Sequence, residues 1–148
     1  MITVYSDGAC RVSNPGVCSC AFVIYDYLGT EVYCQAGDLP GLNTNNYAEY
    51  MGVINALMYL DTHKLKCVAI FCDSKLVVNQ INGQWACLKP DLLPLRNRAQ
   101  LLMLRGRHTI QHIDGHAGHV GNERADFLCN DVLDQVQGKG KYAKAKEN

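Results

Sequence analysis

Residues 66–72, Lys-Cys-Val-Ala-Ile-Phe-Cys, make a nearly unbroken apolar run that is too short for a buried helix and gives way at once to Asp73-Ser74. Without the alternation of a half-solvated strand, such a run predicts a strand covered on both faces. A strand of that kind needs neighbours on each side and helices above and below.

The rest of the chain supplies those partners. From Tyr47 to Leu60 the apolar positions Tyr50, Val53, Ile54, Leu57, Met58 and Leu60 follow helical spacing, with Thr44, Asn45 or Asn46 as N-cap. A short helix is predicted after Asp73-Ser74, ending at Gly83. Another covers 91–105, with Pro94 in its first turn and Gly106 closing it. The last covers 122–137, with Ala125, Leu128, Cys129, Val132, Leu133 and Val136 on one face. Before them, β-rich segments at 2–6, 17–27 and 30–36 are separated by Asp7-Gly8, the Ser13-Asn14-Pro15-Gly16 turn and Gly29, and read as an antiparallel meander; a further strand is expected at 108–113. The expected fold class is α/β: a five-stranded mixed sheet, three antiparallel strands then two parallel, with helices on both faces. Residues 1–137 are expected to form one domain, and 138–148 a basic, mobile tail.

Fourteen basic and fourteen acidic side chains cancel. Lys139, Lys141, Lys144 and Lys146 crowd the last residues, so the remainder is slightly acidic and its overall field does not draw polyanions. A basic stretch, Lys89, Arg96, Arg98, Arg105 and Arg107 against Asp91 alone, is the local exception, and doubles as an ordinary solvated helix face. No secretory signal or membrane-spanning run is visible, so a cytoplasmic protein with no membrane partner is expected. The eight cysteines form no CxxC pair, and free buried thiols are the expectation; Cys18, Cys20 and Cys34 are a weak zinc alternative.

Four carboxylates fall at element junctions: Asp7 at the end of the first strand, Glu49 in the first turns of its helix, Asp73 after the apolar strand and Asp126 early in the last helix. Singly, each has a structural reading as a turn residue, a cap or a dipole partner. Collectively they can converge at the carboxyl ends of parallel strands, where α/β sheets place their sites. Carboxylates about 4 Å apart repel by roughly 4 kcal/mol at an effective dielectric of about 20, so a convergent set calls for a cation. Oxygen ligands, with no thiolate expected nearby, suit Mg²⁺ or Mn²⁺, and two such ions can activate a water and stabilise a departing oxygen in phosphoryl transfer.

The blocks Tyr5-Ser6-Asp7-Gly8-Ala9-Cys10 with Asn14-Pro15-Gly16, Thr44-Asn45-Asn46-Tyr47-Ala48-Glu49, Phe71-Cys72-Asp73-Ser74, and Gly115-His116-Ala117-Gly118-His119 with Asn122-Glu123-Arg124-Ala125-Asp126 occur in this order over residues 1–137. Together they resemble ribonuclease H of type 1. The resemblance implies an RNase H-like fold and an endonuclease that hydrolyses the RNA strand of an RNA/DNA hybrid duplex, leaving 5′-phosphate and 3′-hydroxyl ends. It implies two ions per active site, Mg²⁺ with Mn²⁺ as substitute, held by Asp7, Glu49, Asp73 and Asp126. His116 takes the position of the family's mobile histidine, between Gly115 and Gly118, where an imidazole suits proton transfer. His119 is the neighbouring alternative, and a zinc reading of His112, His116 and His119 is weak because no cysteine lies among them.

By the same resemblance Cys10 (through its backbone), Ser13, Asn14, Asn45 and Asn46 meet the minor groove and its 2′-hydroxyls, while Thr44 grips a DNA phosphate or simply caps its helix. Trp85 lies against the DNA sugar-phosphate or in the core. The sequence departs from some members in lacking a lysine-rich handle, residues 84–90 carrying Lys89 alone, and no N-terminal hybrid-binding module is expected. Alternatives are double-stranded RNA cleavage on the same fold, a detached reverse-transcriptase domain, and a hybrid-binding module without catalysis. A monomer is the default.

Overall fold

The computed structural model describes residues 1–11 and 13–147, with side chains described as far as residue 137. Nine elements follow in order: β1 (Thr3–Arg11), β2 (Val17–Tyr25), β3 (Glu31–Asp38), α1 (Asn45–Thr62), β4 (Ala69–Cys72), α2 (Lys75–Ile81), α3 (Leu93–Gly106), β5 (Thr109–His112) and α4 (Val120–Glu147). The sheet runs β3-β2-β1-β4-β5. β1, β2 and β3 pair antiparallel, and β4 pairs parallel with both β1 and β5. The apolar run thus becomes a strand with a partner on each side, as its sequence requires.

Alternation along the strands divides the interior. Val4, Phe22, Ile24 and Ile70 face Tyr50, Val53, Ile54 and Leu57 of α1, and Leu102 of α3 joins the same core. On the opposite face Val23 and Tyr25 meet Ala125 of α4, with Tyr5 and Leu128 packed beside them. Gly121 lets α4 approach this closely, since a Cβ there would stand 2.1 Å from the Tyr5 ring. Helix starts use hydroxyl caps: Thr44 accepts from the Tyr47 N–H at 3.2 Å and Ser74 from the Val77 N–H at 3.3 Å.

Several local expectations are corrected. Asp7-Gly8 does not stop β1, which runs on to Arg11. Gly8 is there for close approach, because a Cβ would lie 2.3 Å from the Ala48 carbonyl carbon and 2.4 Å from the Glu49 nitrogen. Gly106 sits inside α3 rather than closing it, making room for the His108 ring, and Arg107 at φ 55° ends the helix. The cysteines are not all free: the β1–β2 register sets Cys10 opposite Cys18, 4.0 Å apart at Cα, and their sulfurs are bonded. Cys67 is exposed rather than buried. α4 starts at Val120, two residues earlier than expected; the expectation of a separate basic tail at 138–148 concerns side chains outside the described residues. Among the described residues no helix is long and apolar enough to cross a membrane.

Candidate active site

β1 and β4 run parallel with Ser6 beside Cys72, so Asp7, midway along β1, and Asp73, just past the end of β4, lie side by side where the parallel pairing stops. Glu49 reaches the same place from the first turns of α1, held against β1 by the Gly8 contact and by Gly52, where a Cβ would stand 2.6 Å from the Asp7 carbonyl. Asp126 enters from α4, on the far face of the sheet.

The four carboxylates are not equivalent. Asp7 is 4% exposed. Its Oδ1 accepts the Gly8 N–H at 2.9 Å, and its side chain is hydrogen-bonded to Glu49. Burial first, and then the charge of Asp73, pushes the Asp7 carboxyl up to about 7. Glu49 is raised well above its ordinary range, again by burial and then by Asp7 and Asp73. Asp126 is near enough for its charge to raise Asp7 further. A shared proton or a cation relieves such a cluster.

One ligand atom each from Glu49, Cys72 and Asp73 lies within 4.8 Å of the others. A thiol also stands here: Cys72 Sγ lies 3.7 Å from Glu49 Oε2. Full burial raises the thiol well above its ordinary value, so it donates to the carboxylate as S–H and the available lone pairs remain oxygen. That donor set fits a hard divalent ion such as Mg²⁺ or Mn²⁺. Among the described residues neither Cys18, Cys20 and Cys34 nor His112, His116 and His119 form a comparable cluster.

Two amides beside the acids, Asn122 and Asn130, received no role from the sequence. Asn122, in the first turn of α4, donates to Asp73 Oδ2 at 3.2 Å. Gly115 presses on the same oxygen, since a Cβ would stand 2.9 Å from it. The following residue, His116, is exposed and has a φ of 58°. Asn130 lies four residues beyond Asp126, a spacing that marks one helix face and could have singled it out.

Of the residues expected to meet substrate, those of the first loop and the start of α1 lie together as a ledge. The loop after β1 is bound to the approach to α1 by Gly16 and Asn43, which exchange two backbone hydrogen bonds of 2.9 Å. Asn45 Oδ1 accepts the Cys10 N–H at 3.2 Å, and the Asn45 N–H donates to Asn14 Oδ1 at 3.0 Å. Ser13 Oγ turns back to the Pro15 carbonyl, Thr44 caps α1, and Asn46 is half-buried. Trp85 stands apart from this ledge, beyond α2, and is 48% exposed rather than a core residue. The connection from α2 to α3 carries Lys89 as its sole basic residue.

A parallel strand pair delivering two carboxylates, joined by acids from helices on both faces, makes an acidic cluster that could hold a cation beside a polar ledge. The sequence model of the RNase H family matches residues 1–134. A ribonuclease HI of Halobacterium salinarum is 36% identical over 136 residues, covering 91% of this chain and 65% of that protein. A ribonuclease H of Francisella tularensis subsp. novicida is 32% identical over 151 residues, covering 93% and 94%. Among solved structures, LC11-RNase H1 in complex with RNA/DNA hybrid superposes with a TM-score of 0.81 at 29% identity, covering 93% of this chain and 99% of that one. The chain belongs to the RNase H family, and it spans less than two thirds of the length of the Halobacterium relative.

Proposed function

We propose that this protein is an endonuclease hydrolysing the RNA strand of RNA/DNA hybrids, with 5′-phosphate and 3′-hydroxyl products. The observation that carries the reading is the Asp7–Glu49–Asp73 cluster, whose two most buried carboxyls are raised by burial and mutual repulsion and lie beside a polar ledge. The hybrid bound by LC11-RNase H1 supports the choice of substrate. Asp7, Glu49, Asp73 and Asp126 would hold two divalent ions, Mg²⁺ or in its place Mn²⁺. Bound there, the ions supply an activated water and stabilisation of the departing oxygen.

The chain's own residues do the rest. Asn122 and Gly115 fix Asp73, and the Cys72 thiol and the Asp7 hydrogen bond fix Glu49. Cys10 through its backbone, with Ser13, Asn14, Asn45 and Asn46, meets the minor groove where 2′-hydroxyls distinguish RNA from DNA. Thr44 serves a DNA-strand phosphate while capping α1, and Trp85 offers its exposed ring to the DNA sugar-phosphate. His116, on the exposed loop next to the Gly115–Asp73 contact, moves a proton as product leaves.

The test is a cleavage panel of labelled RNA/DNA, RNA/RNA, DNA/DNA and single-stranded RNA with Mg²⁺, Mn²⁺ or EDTA, run with the wild type and Asp73→Asn. Hybrid alone should be cut, only with metal, and the variant should lose cleavage while keeping its fold and most of its hybrid binding. No hybrid cleavage with either metal rejects the proposal, and equal cleavage of RNA/RNA replaces it with a double-stranded ribonuclease.

A further inference from the structure

Asn130 lies one helical turn beyond Asp126 on α4. Its side-chain NH₂ donates to the Asp126 carbonyl at 2.9 Å and to the Asp126 carboxylate Oδ1 at 3.3 Å. Its amide oxygen accepts from Arg11 Nη2 at 3.0 Å, and the same nitrogen donates to the Asn130 carbonyl at 3.2 Å. The other arm of the guanidinium reaches Gln137 Oε1 at 3.1 Å and forms an ion pair with Asp134. Turned over, the amide would set its NH₂ against the guanidinium and its oxygen against the Asp126 oxygens. One orientation alone satisfies both neighbours.

Arg11 closes the strand that carries Asp7, and through Asn130 it touches the helix that carries Asp126. The Asp126 charge already acts on Asp7, so before a cation arrives repulsion favours side-chain positions that lead away from the cluster. A neutral donor on Asp126 opposes that drift without placing a competing positive charge among the ligands. We propose that Asn130 is a positioning residue that aims the Asp126 carboxylate for cation binding, and that Arg11 is the residue that holds Asn130 in its donating orientation. The inference rests on Asp126 being a cation ligand.

Partners of metal ligands change affinity by about 10-fold or more when removed. The experiment compares wild type, Asn130→Ala, Arg11→Ala, the double variant and Asp126→Asn by calorimetric Mn²⁺ titration of the free protein, hybrid-cleavage kinetics and thermal melting in EDTA. Asn130→Ala should bind Mn²⁺ about 10-fold more weakly, with kcat lowered at limiting metal and restored by excess metal, and KM for hybrid unchanged. Arg11→Ala should weaken Mn²⁺ in the same direction, and the double variant should bind no more weakly than Asn130→Ala, because both act through one carboxylate. Arg11→Lys should not rescue, since one ammonium cannot reproduce the fork.

A purely structural role would lower the melting temperature in EDTA and leave Mn²⁺ affinity intact, which overturns the proposal. Additive losses in the double variant overturn the part assigned to Arg11. Wild-type Mn²⁺ affinity in Asp126→Asn would instead remove Asp126 from the ligand set, a distinguishable failure of the underlying reading. Should Asn130→Ala not fold, Asn130→Ser makes the same comparison with a smaller expected loss, and wild-type Mn²⁺ affinity in that variant alongside a weakened Asp126→Asn overturns the proposal.

Discussion

Replacing Asp7 by Asn should stabilise the metal-free protein while abolishing its cleavage activity. Asp7 is almost fully buried, and its carboxyl rises from an ordinary 3.8 to about 7. Between these values the folded protein holds a proton that the unfolded chain has released. Stability from this group is therefore complete below about pH 4 and is lost as pH rises through about 7. At about 1.4 kcal/mol per pH unit the shift corresponds to about 4 kcal/mol against the ionised fold, a ceiling because Asp7 and Glu49 titrate together; about 2 kcal/mol is the expected effect. Asn keeps the shape, its Oδ1 can still accept the Gly8 N–H, and its amide can donate to Glu49. Urea unfolding in EDTA, followed by circular dichroism, should show Asp7→Asn more stable than wild type at about pH 8, with the difference vanishing near about pH 4. Saturating Mg²⁺ should narrow the gap by stabilising the wild type more. A variant no more stable than wild type at the higher pH would refute the reading of this carboxylate as a repelled, cation-seeking group.

Two further substitutions probe the same geometry from outside the acids. Gly115→Ala inserts a methyl 2.9 Å from Asp73 Oδ2, and since Gly115 does not need a positive φ the loop should tolerate it; we expect kcat to fall by about 10-fold or more with the melting temperature unchanged, and an unaltered kcat would separate this loop from the site. Trp85→Ala should raise KM for hybrid with little change in kcat, checked by steady-state cleavage. With Lys89 alone between α2 and α3, hybrid affinity should also fall steeply between about 50 and 200 mM salt, and a flat profile in a filter-binding titration would contradict binding through phosphate contacts.

Periodicity and capping made most of the architecture legible from residues alone. The apolar run ending at Asp73 demanded a two-sided strand, the spacing from Tyr50 to Leu60 demanded α1, and Thr44 was among the three residues offered as its cap, whereas Ser74 rather than Asp73 caps α2. These are local consequences, set by the pitch of a helix and the pleat of a strand, and they survive without knowledge of distant partners. The glycines misled for the opposite reason. Gly8 reads as a turn beside an aspartate, yet its missing Cβ serves a helix forty residues away, and Gly106 likewise yields to a ring two residues on.

The types of the acidic residues and their order could be read along the chain, but their unequal character could not. Packing made Asp7 and Glu49 share a raised, hydrogen-bonded state, put the Cys72 thiol beside Glu49, and gave Asp73 and Asp126 separate amide partners in Asn122 and Asn130. The Cys10–Cys18 bond likewise needed the register of β1 against β2. Burial, charge repulsion and hydrogen-bond geometry depend on separations of a few ångströms between segments remote in sequence, and only the folded sheet with its helices brings those separations into being.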